Sequence, residues 1–429
     1  MRPTALLAFI ISTAAVTAGD LFLTPLGAGD KTGSSWQNAL DQGSANRAVN
    51  ELLTAGDTLY LGSGTYQDLR IEVRRGGTEN RPCAIKGVDR GGGLPLIRGR
   101  WTVEAPAKGP TAIRFAPGVS DLVISNLRIE RFKIGVHLPD TPNATPHHRI
   151  TFANVDMSHI RHGFYLSRCS NLRLEDCDLV HYTKHGFRFE NACSRVRLLR
   201  CTADCSSGSE DWERRTELFP FGFIVNQSKD PQTDIHFVDC VARNNRMPLQ
   251  NRKYKNGDGF VVEKSAARVA FTRCMAIHNQ DGGFDIKSSA VSLRDCVAVQ
   301  NSRAFRIWST ASLSNCFAGF GTTGLWSNGG RIDVDRSTFY QLSGAAILAD
   351  DDSTGPLCLT RSIIARCKLP ARRTARGVID VPPQTTRPGH DPFVFRAPAA
   401  SWQGNTDAMD CTSHPDRGYS RPPSDTSRM

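Results

Sequence analysis

The stretch Asn256-Gly-Asp-Gly-Phe-Val-Val-Glu263, followed by Asn279-Gln-Asp-Gly-Gly-Phe-Asp-Ile-Lys287 and Ser302-Arg-Ala-Phe-Arg-Ile-Trp308, decides the fold. Its Gly-Phe step also occurs at Gly163-Phe164, Gly186-Phe187 and Gly222-Phe223, and loosens later to Ala304-Phe305 and Gly324-Leu325. A cysteine follows most of these steps, at Cys177, Cys201, Cys240, Cys274, Cys296 and Cys316. The shortest intervals, from Phe260 to Phe284, Phe305 and Leu325, are 24, 21 and 20 residues. That length suits one turn of short strands and is too short for most paired-helix repeats. Two ladders in step with each other therefore predict an all-β parallel β-helix, a solenoid of stacked coils.

Working outward, the strands from Ile113 to Ile364 are short, alternating and rich in Val, Ile, Leu and Phe, as at Leu122-Val-Ile-Ser125 and Ile235-His-Phe-Val238. Longer intervals around Phe223 mark insertions at Ser206 to Pro220 and Asn245 to Asn256, and insertions in repeat folds collect on the binding face. Near the start, Ala48, Val49, Leu52 and Leu53 share one helical face, which Gly56-Asp57 ends. An amphipathic helix there, within a segment of about 36–56, covers the open end of the stack as an N-terminal capping helix. Residues 1–18 read as a secretory signal, with an apolar run from Ala5 to Ala15 and small residues at Val16-Thr17-Ala18. The coils are expected over 19–369. The Pro- and Arg-rich tail, 370–429, is expected to be extended or disordered.

The chain of 429 residues carries a formal charge of +11. In a protein exported to the periplasm, the cell surface or the medium, this favours an acidic polymer as partner. No nucleic-acid partner and no membrane span are expected, and a monomer suffices for a solenoid of this length. Thirteen cysteines at one phase of a repeat fit a buried stack of small side chains as well as they fit disulfides. None of them has zinc-site spacing.

Strict alternation along a strand tells which side chains share a face. If Phe260, Phe284 and Phe305 point inward, one outward column runs Tyr165, Arg188, Ile224, Val261, Asp285, Arg306. The next runs Ser167, Glu190, Asn226, Glu263, Lys287, Trp308. Coils stack about 4.8 Å apart, so Asp285, Arg306, Glu263 and Lys287 gather into one charged patch with Asp258 and Asp281 at its edge. Asp and Asn before Gly-Phe are also ordinary corner residues. His162 and His185, just before successive Gly-Phe steps, read by default as a turn ladder.

This stretch resembles the calcium-dependent pectate lyases of polysaccharide lyase family 9, whose coils carry "ADGF" and "DDGWD" turns and a "GFK" step. The resemblance implies calcium (Ca2+) bound by Asp258, Asp281 and Asp285, with Gly282 standing where the family has a further acid. It places Arg306 at the position of the catalytic base, with the nearby Lys287 as the alternative. Glu263, Arg188 and Trp308, on the same face, are candidate substrate contacts. The implied activity is β-elimination of an acidic polysaccharide such as pectate. A lyase or epimerase acting on alginate or a glycosaminoglycan, and a non-catalytic glycan-binding β-helix, are the alternatives.

Overall fold

The computed structural model describes residues 19–248, 256–350, 355–373 and 379–380; the segment 1–18 and the tail beyond residue 380 lie outside the described residues. Short strands rich in β-branched and aromatic residues alternate with corners of Asn, Asp and Arg, and every strand pairing between coils is parallel. Three sheets result. The first stacks Phe221–Val225, Asp258–Val262, Gly282–Ile286, Arg303–Ile307 and Thr323–Ser327. The second includes Gln232–Val238, Ala266–Thr272 and Val291–Arg294, and the third Val241–Arg243, Met275–Ile277 and Val297–Val299. The chain is thus a parallel β-helix. Stacking runs past residue 369, the expected end of the coils: Leu369–Arg373 pairs with Ala345–Ala349, and Ile379–Asp380 pairs with Leu357–Thr360.

The interior is a set of side-chain ladders. Phe164, Phe187, Phe223, Phe260, Phe284 and Phe305 stack face to face, with ring centroids 4.6 to 5.3 Å apart. Phe237 and Phe271 of the second sheet stack at 4.7 Å and meet the first ladder edge-on, so both favoured aromatic geometries occur in one core. Cys201, Cys240, Cys274, Cys296 and Cys316 form the small-residue ladder; all twelve cysteines among the described residues are free thiols. At the corner beside them, consecutive coils present Asp176, Arg200, Asp239, Arg273 and Asp295, each with positive φ. The alternating signs let Arg200 pair with Asp176 at 2.6 Å and Arg273 with Asp239 at 2.7 Å, so like charges do not stack at a backbone conformation that is itself unfavourable.

The open end is covered by a helical segment, Gln42–Leu52, that passes from 3-10 through one α turn to π geometry. Ala45, Ala48, Val49 and Leu53 are buried against the first coil. Asn46 and Asn50, one turn apart, bond the free backbone edge of Ile71–Val73: Asn46 Nδ2 donates to Arg70 O at 2.9 Å and Asn50 Nδ2 to Glu72 O at 2.7 Å. The amides of Glu72 and Arg74 donate back to their side-chain oxygens. An edge that would otherwise recruit another strand is closed.

Each glycine of the Gly-Phe ladder is fixed by close approach. A Cβ on Gly186, Gly222, Gly259 or Gly283 would lie 2.6 to 2.7 Å from the carbonyl oxygen of the next rung and within 3.3 Å of an alanine Cβ of the core. Neither obstacle can swing away, because one is backbone and the other is packed. Gly259→Ala is therefore expected to destabilise the protein by about 1–3 kcal/mol, read as a lower urea midpoint. An unchanged midpoint would mean that the coils part to admit a methyl group.

Candidate functional site

The Gly-Phe step also decides what faces outward. Strand pairing passes from His185 to Phe187 and from Asp258 to Phe260 without including the glycine between. Glycine and phenylalanine both face the core, so the residue before the glycine is returned to the outer face. This adds a third outward column that strict alternation missed: His162, His185, Phe221, Asp258, Gly282 and Arg303, in register on successive coils. Beside it runs His137, Tyr165, Arg188, Ile224, Val261, Asp285, Arg306 and Trp326. The column from Ser167 and Glu190 to Lys287 and Trp308 completes the face.

Toward the C-terminal end, Asp258, Asp281 and Asp285 are brought together with Arg306, Lys287, Glu263 and Trp308, and with Arg303. The three aspartates are buried, at 0, 5 and 1% exposure. Arg303 pairs with Asp281 Oδ1; Arg306 Nη1 lies 3.2 Å from Asp281 Oδ2 and 3.7 Å from Asp285 Oδ1. Lys287 Nζ lies 2.5 Å from Glu263 Oε1 and 3.3 Å from Asp285 Oδ2. Trp308 Nε1 donates to Asp285 Oδ1 at 2.6 Å, and Gly282 N donates to Asp258 Oδ1 at 2.5 Å. Arg306 also lies over Trp308 and Trp326, its guanidinium carbon 4.6 and 5.4 Å from the ring centroids. Burial, with Asp285 and Asp281 close by, pushes the Asp258 carboxyl well above the usual carboxylate range. Burial works against the Lys287 ammonium, yet Asp285 and Glu263 hold it above its ordinary range.

This donor set does not fit a calcium ion. Calcium takes six to eight oxygens, but the oxygens of Asp281 and Asp285 already face arginine, lysine or indole N–H, and Asp258 Oδ2 is the one aspartate oxygen left without a partner. Among the described residues, no group of three or more His, Cys, Asp or Glu is placed to hold a metal. At the position of the expected base, Arg306 lies between acids and indoles, and the alternative, Lys287, lies between Glu263 and Asp285.

Arg188, expected only as a substrate contact, belongs to a second cluster two to four coils away, with Tyr165 and Glu190, which the sequence reading left as column residues, His162 and His185, left as a turn ladder, and His137, which it did not single out. Arg188 lies over the Tyr165 ring at 4.8 Å, pairs with Glu190 and sits 3.2 Å from His185 Nδ1. Tyr165 donates its hydroxyl to Glu190 Oε2 at 2.6 Å. The rings of His137 and His162 lie 5.2 and 5.6 Å from that of Tyr165, and His162 lies 5.0 Å from His185. Burial, aided by Arg114, lowers His137 to about 4; burial and the charges of Arg161, Arg188 and Lys184 keep His162 neutral. Burial raises Tyr165 to about 12. The sequence signal was present, in a histidine before two successive Gly-Phe steps, but its placement beside Tyr165 depends on the extra inward residue at each glycine.

A sequence model described as "Right handed beta helix region" matches residues 118–318. No curated protein matches the chain. Among solved structures, the A-module of the mannuronan C-5 epimerase AlgE4 of Azotobacter vinelandii is similar with a TM-score of 0.56 at 15% identity, over 84% of this chain and 100% of that one. Pectate lyase Pel9A is similar with a TM-score of 0.51 at 13% identity, over 84% of this chain and 83% of that one. At these identities the likeness is one of fold. The chain is a right-handed parallel β-helix that resembles polysaccharide lyases.

Proposed function

We propose that the protein binds an acidic, uronate-containing polysaccharide along the outward face of the first sheet and cleaves it by β-elimination. The observation that carries this reading is the alignment of cations on one straight face: Arg188 and Arg306 in one column, with Lys287 in the next. Arg188 and Asp285 are three coil steps apart, about 14 Å at the spacing of parallel strands, so one extended polymer chain reaches both clusters. Elimination requires the uronate carboxylate to be neutralised, so that the proton on C5 becomes acidic, and a group to take that proton. Arg188 supplies positive charge for the first requirement, and Arg306 and Lys287 offer further N–H donors to carboxylates along the polymer. Trp308, beside Arg306, offers an apolar ring face for a sugar. The likeness to the fold of pectate lyase Pel9A and of a mannuronan C-5 epimerase supports a polyuronate substrate, as does the charge of +11. Among the described residues no helix is long and apolar enough to cross a membrane. A polymeric substrate fits the export expected from residues 1–18.

No calcium is required in this reading, because Arg303, Arg306 and Lys287 already balance the acid cluster. Chelator is expected to leave both the melting temperature and the rate of product formation unchanged. Activity lost to chelator and restored by calcium would return the three aspartates to a metal site.

The activity itself is tested on polygalacturonate, alginate and a glycosaminoglycan, by ultraviolet absorbance of unsaturated chain ends. Product from one of them is expected; inversion at C5 without chain cleavage would make the protein an epimerase, and binding alone would make it a glycan-binding module. Arg306→Gln combined with Lys287→Met is expected to raise KM about tenfold or more, from loss of charged contacts to the polymer, with kcat retained. An unaltered KM would move the polymer off this end of the face.

A further inference from the structure

The acid cluster holds cations but no group disposed to accept a proton, so a polymer bound along this face needs its proton acceptor elsewhere. Unpartnered buried polar atoms occur at both ends of the face, with Asp258 Oδ2 and Arg306 Nε in the acid cluster and four more around Tyr165; the histidines lie at the Tyr165 end. His137 Nδ1, His162 Nδ1, Ser167 Oγ and Arg188 Nε are all buried without a hydrogen-bond partner, and they fall on three consecutive coils of the same outward face. Buried polar groups are nearly always paired within the protein, and leaving one unpaired is costly. Four together around one tyrosine indicate groups disposed toward a ligand. His137, Tyr165 and Arg188 are each only partly buried, whereas His162 and His185 beneath them are buried. The half-buried trio therefore forms a continuous row, with the buried histidine pair in the column beside it.

We propose that His137, Tyr165 and Arg188 are the proton-transfer centre for a uronate residue of the polymer, an inference that rests on the reading of the protein as acting on such a polymer. The Arg188 guanidinium takes the carboxylate on C5. The His137 imidazole accepts the C5 proton. The electron pair of the C5–H bond becomes the second bond between C4 and C5, and the bond from C4 to the glycosidic oxygen breaks with its pair on oxygen. Tyr165 gives its hydroxyl proton to that oxygen. The phenolate left behind faces Arg188 at 4.8 Å, and both side chains return to their starting forms by exchanging a proton with water. Atoms and electrons balance with no oxidant, reductant or metal.

The surroundings suit these roles. Neutral histidines are kept neutral by burial and by Arg114, Lys133, Arg161 and Lys184 nearby, a set of charges that also draws in a polyanion. Glu190 is held ionised: burial opposes it, but Arg188, Tyr165 and Asn226 all bond it. It orients the Tyr165 hydroxyl and the Arg188 guanidinium from the side away from His137. One wall of this region comes from the inserted segment. Glu217 is clamped by both Arg161 nitrogens at 2.8 Å, and Phe219 follows, exposed and at φ +62, a conformation unfavourable for a bulky residue.

The test follows both unsaturated ends and deuterium incorporation at C5, by NMR in heavy water, for the full chain and for His137→Gln, Tyr165→Phe and Arg188→Ala, with circular dichroism to verify folding and affinity electrophoresis to measure polymer binding. His137→Gln is expected to lower both signals about a hundredfold or more while polymer binding persists. Tyr165→Phe is expected to lower chain cleavage by a similar factor while C5 exchange survives in part, a split that a merely structural tyrosine would not produce. Folded His137→Gln and Tyr165→Phe proteins with full cleavage rates would overturn the inference and leave the polysaccharide reading standing. Neither signal from the unaltered protein on any uronate polymer would overturn both.

Discussion

The contact on which the structure depends is the approach of each ladder glycine to the carbonyl oxygen of the next coil. With no Cβ at Gly186, Gly222, Gly259 and Gly283, neighbouring coils close to a distance that a methyl group would forbid, and Phe187, Phe223, Phe260 and Phe284 stack at 4.6 to 4.9 Å. That spacing matches the distance between hydrogen-bonded strands, so backbone pairing and aromatic stacking reinforce one another. The ladder is wider at its two ends, 5.2 Å between Phe164 and Phe187 and 5.3 Å between Phe284 and Phe305.

The same contact organises the outer face. Two consecutive inward residues at each step turn the preceding side chain outward and place it beside the one that follows the phenylalanine. Asp258 thereby meets Asp285, and His162 meets Tyr165. Pairs such as Arg200–Asp176 and Arg268–Asp234 are exposed and contribute little. Here acids with almost no exposure sit against Arg303, Arg306 and Lys287, an arrangement whose value depends on every partner being present. At one end of the face the buried acids and cations pair with one another and leave Asp258 Oδ2 and Arg306 Nε without partners, whereas at the other end four polar atoms around Tyr165 are left without them. The two ends are thus suited to different tasks, holding a polyanion and moving its protons.

Much of this was legible in the sequence because a solenoid converts spacing into space. The repeat of Phe260, Phe284 and Phe305 foretold the fold, and the columns through Arg188, Asp285 and Arg306 and through Glu263 and Lys287 are those found. The resemblance to calcium-dependent lyases also rested on real positions, since Asp258, Asp281 and Asp285 do converge. A motif reports which acids are near one another and is silent about the cations between their oxygens. Arg303 escaped notice since its column lies off strict alternation. His137 did as well, for it precedes the first Gly-Phe step and only strand pairing with Tyr165 puts it on the face.

What the sequence by itself determined is the repeat: a one-dimensional array in which each coil contacts only its neighbours leaves its period in the order of its residues. The inward aromatics, the cysteine positions and the capping helix follow from that period and from apolar patterning, whereas the state of the cysteines as free thiols does not. What only the tertiary structure decided is the pairing of charges and the state of each group. These depend on side-chain reach over a few ångströms and on burial. Asp258 lost its solvent, Lys287 gained two carboxylates, and His137 came to lie against Tyr165, because those distances are set by how closely one coil settles on the next.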